Sequence, residues 1–503
     1  MADILIMLDD KPVEVLDGPH PPGEIWPGWA TGLPNIPRNS GRIENIKNCG
    51  IKFKDDRSSP IFPLKLLQHL FSVDVLTEEL SSFLGNREAR DHLVRKILGS
   101  REEEPRYLQI FAILKLIRRE KKIQQFIDCG ICDQHLPLEC DDRDNDRLYR
   151  TNPREPLPED ILDPDERDSF WSWQWSVVVP FFKPQLGPFD FHGRQQMPYY
   201  EVRADFSHNL GGSGEVSKIR MHPLCHEFPD LRNGLQGPDE EQFFAQKRFH
   251  TKSENDLEEF QREVKMLQKF NGKKHPNLVT MLAAYKHRGG QFLLFPWATC
   301  DLLNYWENIE PEPNNTDPTT VRWVSRQAWM LVEAVKCIHF PRENMETAEG
   351  DHRWGRHGDL KPENVLWFRG RSGRGTLVIS DMGLSQEHRF MSRSNVPKNV
   401  KKTPKYRPPE CDYEGGKISR TFDIWTLGCI FLEMLTWLSG GYILLQDMEE
   451  SRTTSSIRGF ASDEFFEWVE VEGVNFRTIR VKKAVTEVSS HNIICWLILI
   501  TGL

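Results

Sequence analysis

The stretch "HGDLKPENVLWF", residues 357–368, places an acid, a cation and an amide close together and then becomes apolar. Asp359 could accept a proton or orient a hydroxyl group, and Lys361 could neutralise a phosphate. Asn364, with a second carboxylate, could hold a metal ion. Asp-x-Lys-x-x-Asn alone is a weak signal, because chance produces it in roughly one sequence of this length in ten or twenty. Its neighbours therefore decide its meaning.

Two further stretches supply groups that suit phosphate and metal binding. In "LVISDMGLS", residues 377–385, an apolar strand delivers Asp381 seventeen residues after Asn364. Hard Mg²⁺ prefers such oxygen ligands, with phosphates completing its shell. Upstream, "HNLGGSGEV" at 208–216 is a glycine-rich turn that leads into a strand. Its bare backbone can approach phosphates, although a lone glycine-rich turn is usually only a loop.

A lysine and a glutamate are predicted to meet across the same region. "FFAQKRF", residues 243–249, places Lys247 on a strand among apolar residues. In "LEEFQREVKML", residues 257–267, the helical period puts Glu263 beside Phe260 on the inward face. The alternative is a plain surface ion pair, which would contribute little to stability.

Taken in order, the glycine-rich turn, Lys247, Glu263, Asp359–Asn364 and Asp381 resemble the eukaryotic protein kinase family, serine/threonine type. The stretches "HPNLV" (275–279), "YRPPE" (406–410) and "DIWTLGC" (423–429) agree with this resemblance. It covers about residues 199–440 and looks most like filamentous-fungal kinases with a helical N-terminal extension. It implies an α+β, bilobal protein-kinase fold with a β-rich N-lobe and an α-helical C-lobe.

The resemblance implies that ATP and Mg²⁺ are the cofactors and that serine/threonine hydroxyls of a protein are the acceptors. Lys247, held by Glu263, would grip phosphates, Asp359 would orient the hydroxyl and Lys361 would neutralise the moving phosphoryl group. The implied metal ligands are Asn364 and Asp381. The implied nucleotide contacts are Asn209, Gly211, Gly212, Gly214, Val216, Ala245, Lys247, Phe295, Pro296 and Ala298.

Some positions depart from the family's pattern. Asn209 replaces the first glycine of the phosphate loop, Met382 stands in "DMG" and Pro408 stands in "YRPPE". None of these removes a catalytic group. Gly358 stands where many relatives carry an arginine that binds a phosphorylated activation segment. We therefore predict activity that does not require phosphorylation of that segment.

The pattern along the chain predicts several regions. They are an irregular or partly disordered stretch (1–60), a helical region (61–140), a charged, proline-rich linker (141–168) and the kinase domain (169–503), with lobes at about 199–297 and 298–503. "FWSWQWSVVVPFF" at 170–182 is expected to be a strand or an apolar strap. After "TWLSGGY" about sixty residues remain, and the last dozen do not resemble the helices the family adds. The C-terminal end is therefore expected to be atypical.

Composition limits the other functions. A net charge of −9 argues against a nucleic-acid binder, and "MADILIMLDD" lacks the basic flank of a secretory signal. The apolar end "IICWLILITGL" is about half the ~20 residues that a bilayer span needs, so no transmembrane span is expected. Ten scattered cysteines fit reduced thiols and an intracellular place, cytoplasmic or nuclear. Cys129, Cys132, His135 and Cys140 have the order of a zinc knuckle, but core packing is the favoured interpretation.

Two functional hypotheses remain open. The chain is an active kinase, or it is a pseudokinase-like scaffold that binds protein partners, and perhaps ATP, without catalysis. The presence of Lys247, Asp359 and Asp381 favours the enzyme, and the atypical C-terminal end favours the scaffold. A small-molecule phosphotransferase is disfavoured because "YRPPE" resembles a platform for a peptide substrate.

Overall fold

The computed structural model of the chain divides into two compact units. One unit takes in the described residues of Met1–Ile51, Phe62–Trp173 and His222–Leu224, and the other takes in those of Lys52–Ile61, Gln174–Met221 and Cys225–Leu503. The residues that the structure describes are 46–52, 59–99, 104–141, 144–151, 153–184, 188–202, 214–228, 243–249, 254–270, 275–340, 353–370, 374–381, 386–389, 404–412, 419–455, 461–470 and 477–487. Most of the predicted irregular stretch 1–60 and the C-terminal "IICWLILITGL" lie outside them.

The first unit is mainly helical over 63–128, where the sequence predicts helices. Its first helices are α1 (Leu64–Leu70), α2 (Val73–Ser81), α3 (Arg87–Leu98), α4 (Leu108–Leu116) and α5 (Ile123–Asp128). Ser72 and Asn86 begin α2 and α3, and each side chain accepts a hydrogen bond from a backbone N–H of the first turn. Helix α4 is apolar on nearly every side and forms the centre of this unit. These helices lie within residues 61–140, the region that the sequence predicts to be helical.

The segment 141–168, which the sequence predicts to be a linker, contains regular structure. It holds part of the hairpin β1 (Glu139–Asp141) and β2 (Asp144–Tyr149), and the first turn of α6 (Pro164–Val177). Asp163 and Glu166 cap this helix reciprocally, since each side chain accepts a hydrogen bond from the other's backbone N–H (both 2.9 Å). Glu166 also forms ion pairs with Arg119 and Lys122. The segment therefore contains regular structure and a buried, paired carboxylate at Glu166, while other charged residues such as Asp160, Asp165 and Asp168 are exposed.

The tryptophan-rich stretch that follows is also different from its prediction. Residues 170–177 lie in α6 and not in a strand. Phe170 is fully buried and stacks on Phe126, with ring centroids 5.6 Å apart. An alternation of aromatic and polar residues over so short a run does not separate a strand from a helix, and the cap at Asp163 and Glu166 selects the helix.

The upper lobe of the second unit is a six-stranded sheet in the order β3-β7-β8-β6-β5-β4. Its strands are β3 (Phe189–Asp190), β4 (Tyr199–Val202), β5 (Gly214–Met221), β6 (Phe243–Phe249), β7 (Ala283–His287) and β8 (Gly290–Pro296). All pair antiparallel except β3 with β7. The sheet therefore begins before residue 199, the predicted start of this lobe. Helix α7 (Glu254–Lys269) lies where the sequence predicts a charged helix.

Buried aromatic side chains hold the sheet together. The hydroxyl groups of Tyr199 and Tyr285 lie 2.7 Å apart, and the amide of Gln246 donates to both. Phe182 and Phe244 are fully buried in the same core. These contacts join the edge strand β4 to the middle of the sheet, so β6 is held firmly where it carries Lys247.

The lower lobe combines two long helices with small sheets. In chain order its elements are β9 (Cys300–Asp301), α8 (Leu302–Asn304), α9 (Pro318–His339), β10 (Arg353–Arg356), β11 (Val365–Phe368), β12 (Thr376–Ile379), β13 (Gln386–Arg389) and α10 (Thr421–Arg452). Strand β11 pairs with both β9 and β12, and β10 pairs with β13. A Cβ on Gly355 would lie 2.5 Å from the carbonyl oxygen of Ile338, so only glycine lets β10 approach α9 this closely.

Beyond α10 the described chain forms hairpins. Strands β14 (Thr454–Ser455) and β15 (Ala461–Ser462) form one, and β16 (Phe466–Glu470) and β17 (Arg477–Val481) form the other. Phe465 and Phe466 are both buried. The family that the sequence resembles adds helices after α10, and the sequence analysis expects this end of the lobe to be atypical.

By length and composition, α10 is the described helix that could cross a membrane. Core helices pass the same test, and half of this helix's most apolar window is buried in the fold. Asp423 and Glu433 on this helix are buried and have polar partners within the lobe. Its apolar face packs in the core through residues such as Ile430 and Trp437. The apolar composition of α10 is thus explained by its place at the centre of an α-helical lobe. The observed architecture is the predicted α+β fold.

Candidate active site

Lys247 and Glu263 form a buried ion pair between the sheet and helix α7. The Lys247 ammonium lies 2.8 and 2.9 Å from the two carboxylate oxygens of Glu263, and Glu263 is only 2% exposed. Burial lowers the pKa of Lys247, but the carboxylates of Glu263 and Asp381 outweigh it and raise the pKa to about 12. The surface-pair alternative is therefore wrong, and the lysine carries a full positive charge at neutral pH.

Asp381 approaches the same lysine from the lower lobe. Its Oδ1 lies 3.4 Å from the Lys247 Nζ, and its side chain is 38% exposed to the cleft. The residue follows strand β12 and has a φ of +55°, a conformation that non-glycine residues adopt rarely. A strained backbone at the end of a strand is typical of residues that serve a site.

Asp359, Lys361 and Asn364 form a second group on the loop after β10. The Asn364 amide donates to the Asp359 backbone oxygen (2.7 Å) and to its Oδ2 (3.1 Å). The Lys361 ammonium lies 3.2 Å from the same Oδ2. The carboxylate is therefore fixed by an amide and a cation, while its residue remains partly exposed.

Asp423 of helix α10 holds the backbone of this loop from beneath. Its carboxylate, which is fully buried, accepts hydrogen bonds from the N–H groups of His357 and Gly358, both at 2.8 Å. His339 lies 2.8 Å from the same carboxylate. Gly358 has a φ of +85°, so the backbone turns sharply just before Asp359. These contacts make Asp423 a positioning residue for Asp359.

Sequence reasoning did not assign a role to Asp423 or His339. The sequence analysis uses the stretch "DIWTLGC", which begins with Asp423, only as support for the family resemblance. The available signal for a role of Asp423 was an acidic residue at the start of an otherwise apolar helix, where burial requires a polar partner. Nothing local marks His339, because its partner lies 84 residues away.

A cleft between the lobes brings nine of the predicted residues together, while Asp359, Lys361 and Gly214 are not part of its lining. It encloses about 1010 Å³, including space open to solvent, and has mostly apolar walls, as small-ligand sites do. Its lining includes the predicted Val216, Ala245, Lys247, Glu263, Phe295, Pro296, Ala298, Asn364 and Asp381. It also includes Leu267, Val279, Trp297, Thr299, Cys300, Asp301, Leu366 and Ser380, which the sequence analysis did not assign.

Some of the predicted nucleotide contacts cannot be placed in this cleft. Asn209, Gly211 and Gly212 lie outside the described residues, as does Met382. Gly214 is the first residue of β5, which carries Val216 to the cleft. The apolar Val216, Ala245 and Leu366 suit a flat base, and Lys247 suits phosphates, so the cleft fits a nucleotide.

The metal prediction rests on donor chemistry. Asp381 and Asn364 both line the cleft and offer carboxylate and amide oxygens, which suit Mg²⁺. In the described part of the chain no three His, Cys, Asp or Glu residues are grouped to hold a metal ion. At the zinc-knuckle pattern, the Cys132 sulfur lies 3.5 Å from the His135 Nδ1, and Cys132 is buried whereas Cys129 is exposed.

Comparison with known proteins agrees with this geometry. Residues 236–470 match the family described as "Protein kinase domain". Cyclin-dependent kinase 2 of Caenorhabditis elegans is 31% identical over 160 residues, which cover 32% of this chain and 38% of that protein. Cyclin-dependent kinase 7 of Dictyostelium discoideum is 29% identical over 174 residues, which cover 35% and 41%. The matches span less than half the length of these curated relatives.

The mixed α+β architecture with a cleft between two lobes is consistent with the bilobal fold of the protein kinase domain that residues 236–470 match. Serine/threonine-protein kinase 36 of Pongo abelii, 29% identical over 183 residues, covers 36% of this chain and 12% of that protein. The narrower resemblance to filamentous-fungal kinases stays a prediction.

Proposed function

We propose that the chain is an ATP- and Mg²⁺-dependent protein kinase that phosphorylates serine and threonine hydroxyls of proteins. One observation carries this proposal. The Lys247–Glu263 pair, Asn364 and Asp381 come from distant parts of the chain and line a single cleft, and the Asn364 amide donates to Asp359, which also contacts Lys361. Phosphoryl transfer requires mostly positioning and electrostatic stabilisation, which this set of groups supplies.

Each residue has a distinct task in this proposal. Lys247, whose pKa is raised to about 12, keeps its charge at every physiological pH and attracts phosphate oxygens. Glu263 holds that lysine on the cleft wall. Asp359, fixed by Asn364 and Lys361, accepts a hydrogen bond from the incoming hydroxyl and orients it. Lys361 offers a cation to the transferred phosphoryl group.

Bound Mg²⁺ would neutralise charge on the nucleotide phosphates. Asn364 and Asp381 are the residues that would hold it. Asp381 also lies 3.4 Å from the Lys247 ammonium, so the carboxylate that would hold the metal stands beside the cation that would contact the phosphates.

The acceptor and the setting of the reaction rest on resemblance. Lys361, two residues after Asp359, resembles the serine/threonine type, and one relative is named a serine/threonine-protein kinase. The "YRPPE" loop resembles a platform for peptide substrates. We propose an intracellular location, cytoplasmic or nuclear, from the scattered cysteines. The pseudokinase-like scaffold is the competing function.

The test is phosphorylation of a generic serine/threonine protein substrate by purified full-length chain with Mg²⁺ and ATP. Asp381→Asn should abolish transfer, because it removes a metal ligand without leaving a cavity. Asp447→Asn is the control, since it removes the same charge from an exposed position on α10. A wild-type chain that phosphorylates nothing and shows no Mg²⁺-ATP-dependent thermal shift would favour the scaffold.

A further inference from the structure

The loop at 404–412, termed here the platform loop, is held by ion pairs of unusual density. The Lys405 ammonium lies 3.3 Å from Glu433 and 3.1 Å from Glu449, both on helix α10. The Tyr406 hydroxyl donates to Glu433 at 2.9 Å, and Tyr406 is only 4% exposed. These contacts fix the first residues of the loop to the central helix.

Arg407, the next residue, is held by a different part of the chain. Its Nε donates to Glu464 at 2.5 Å, and one terminal nitrogen donates to Asp412 at 3.0 Å. Glu464 belongs to the chain that follows α10 and precedes β16. Its side chain is 14% exposed and also accepts a hydrogen bond from Ser462 at 3.0 Å. A partly buried, charge-assisted contact of this kind is stronger than an exposed ion pair.

The segment that carries Glu464, residues 461–466, is itself anchored deep in the lobe. The fully buried Arg452 donates to the Asp463 carbonyl at 2.7 Å and lies over the Phe465 ring at 4.0 Å. Lys482, 3% exposed, donates to the carbonyl groups of Arg452 (2.8 Å) and Ser462 (2.7 Å). The backbone under Glu464 is thus fixed by two buried cations, which makes Glu464 a rigid partner for Arg407.

The platform loop lies beside the catalytic loop. The negative charge of Glu363, the residue before Asn364, contributes to raising the pKa of Tyr406, after burial and Glu433. At its other end Glu410 accepts a hydrogen bond from the Thr421 hydroxyl at the start of α10 (3.1 Å), and Asp423, two residues on, accepts hydrogen bonds from the N–H groups of His357 and Gly358 (both 2.8 Å). The start of α10 therefore joins the platform loop to the loop that carries Asp359, so a shift of the platform loop changes the surface next to the reacting hydroxyl.

We propose that Glu464 is a positioning residue for the protein substrate, acting through Arg407 on the platform loop. This rests on the proposed kinase function. The hairpin segment after α10 then has a function in the reaction: it sets the shape of the surface on which a peptide lies.

The test compares steady-state kinetics of full-length Glu464→Gln and Arg407→Gln with wild type. The probe is the peptide that wild type phosphorylates fastest in a generic serine/threonine set. Each variant should raise the KM for peptide about threefold to tenfold, as expected for loss of one charge-assisted contact. The kcat and the KM for ATP should stay within about twofold. The double variant should be no worse than the worse single variant, because both changes remove the same contact.

Glu467→Gln is the matched control, because Glu467 lies only three residues further on, in β16, and pairs with Arg480 (2.7 Å), whereas Arg407 forms its described ion pairs with Glu464 and Asp412. It should leave the KM for peptide unchanged. An unchanged KM in Glu464→Gln, an equal rise in Glu467→Gln, or additive effects in the double variant would each overturn the inference.

Amide hydrogen exchange separates this inference from the proposed function. The N–H groups of Cys411 and Asp412 are bonded within the loop at 3.1 and 3.0 Å. They should exchange faster in Glu464→Gln than in Glu467→Gln, whether or not the chain is active. Unchanged exchange overturns the inference even in an active kinase. A wild-type chain that transfers no phosphoryl group overturns the proposed function, and the substrate role of Glu464 with it.

Discussion

Replacing Gly358 by alanine should impair both the stability and the activity of this kinase domain. Gly358 is buried and has a φ of +85°, and its N–H donates to Asp423 at 2.8 Å. An L-residue in the left-handed region costs roughly 1–2 kcal/mol. Alanine must therefore accept that strain or rotate, and rotation would break the hydrogen bond to the buried carboxylate.

The expected loss of stability follows from these numbers. The strain of about 1–2 kcal/mol applies if the backbone holds its place. A lost hydrogen bond to a charged group adds roughly 1.5–3 kcal/mol if it does not. The variant adopts whichever of these two conformations costs less free energy, so the free energy of unfolding should fall by about 1–2 kcal/mol. In domains of 150–250 residues each kcal/mol shifts Tm by about 2–4 °C.

Activity should fall by more than stability alone explains, because Asp359 is the next residue. A displacement of about 1 Å at a reacting group can cost on the order of a hundredfold in rate. We expect kcat to fall at least tenfold, while the KM for ATP changes little. The assay is phosphorylation of a generic serine/threonine substrate at a temperature where calorimetry shows the variant fully folded.

Gly428→Ala is the control for this substitution. Gly428 lies inside helix α10, and a Cβ built there meets nothing within 4 Å. Alanine should therefore stabilise the helix by roughly 0.5–1 kcal/mol. If Gly358→Ala shows a Tm and kcat like those of wild type, the left-handed backbone at Gly358 is not required, and the reasoning about Asp423 fails.

Three further results are expected. Lys247→Met should abolish transfer while shifting Tm by only a few degrees, measured by calorimetry alongside the assay. Glu166→Gln should lower the free energy of unfolding at neutral pH. Burial raises the pKa of Glu166, but its two cationic partners and its cap outweigh burial and lower the pKa from 4.5 to about 2. The difference in stability between the variant and wild type, measured by urea unfolding, should therefore shrink as the pH falls from 4.5 to about 2. A difference that grows on acidification would contradict this sign. Phosphatase treatment, or the Ser392→Ala/Ser394→Ala variant, should leave kcat within tenfold of untreated enzyme; these serines lie outside the described residues.

Much of the site could be predicted from local sequence. Lys247 stands on an apolar strand and Glu263 on the inward face of an amphipathic helix, and both periods are visible in short windows. Asp359 and Asn364 lie five positions apart, so one loop carries both. These predictions hold because each depends on neighbours along the chain, where turn chemistry and periodicity act.

The segment 141–168, which the sequence predicts to be a linker, shows the opposite case. Charge and proline content suggested a solvated segment, but Glu166 pairs with Arg119 and Lys122, more than forty positions earlier. Composition reports how many charges a segment has and not which of them have partners. Only the fold brings those partners within reach.

The sequence by itself determined which chemical groups are present and on which kind of element each one lies. The tertiary structure decided their partners. Lys247 contacts Asp381, which lies 134 positions away in the sequence, and the Gly358 N–H donates to Asp423, which lies 65 positions away. It also decided that Arg407 is held by Glu464, 57 positions away, at the end of the lobe that the sequence predicts to be atypical. Contacts over such distances depend on the closure of the whole chain around a shared core, which no local pattern records.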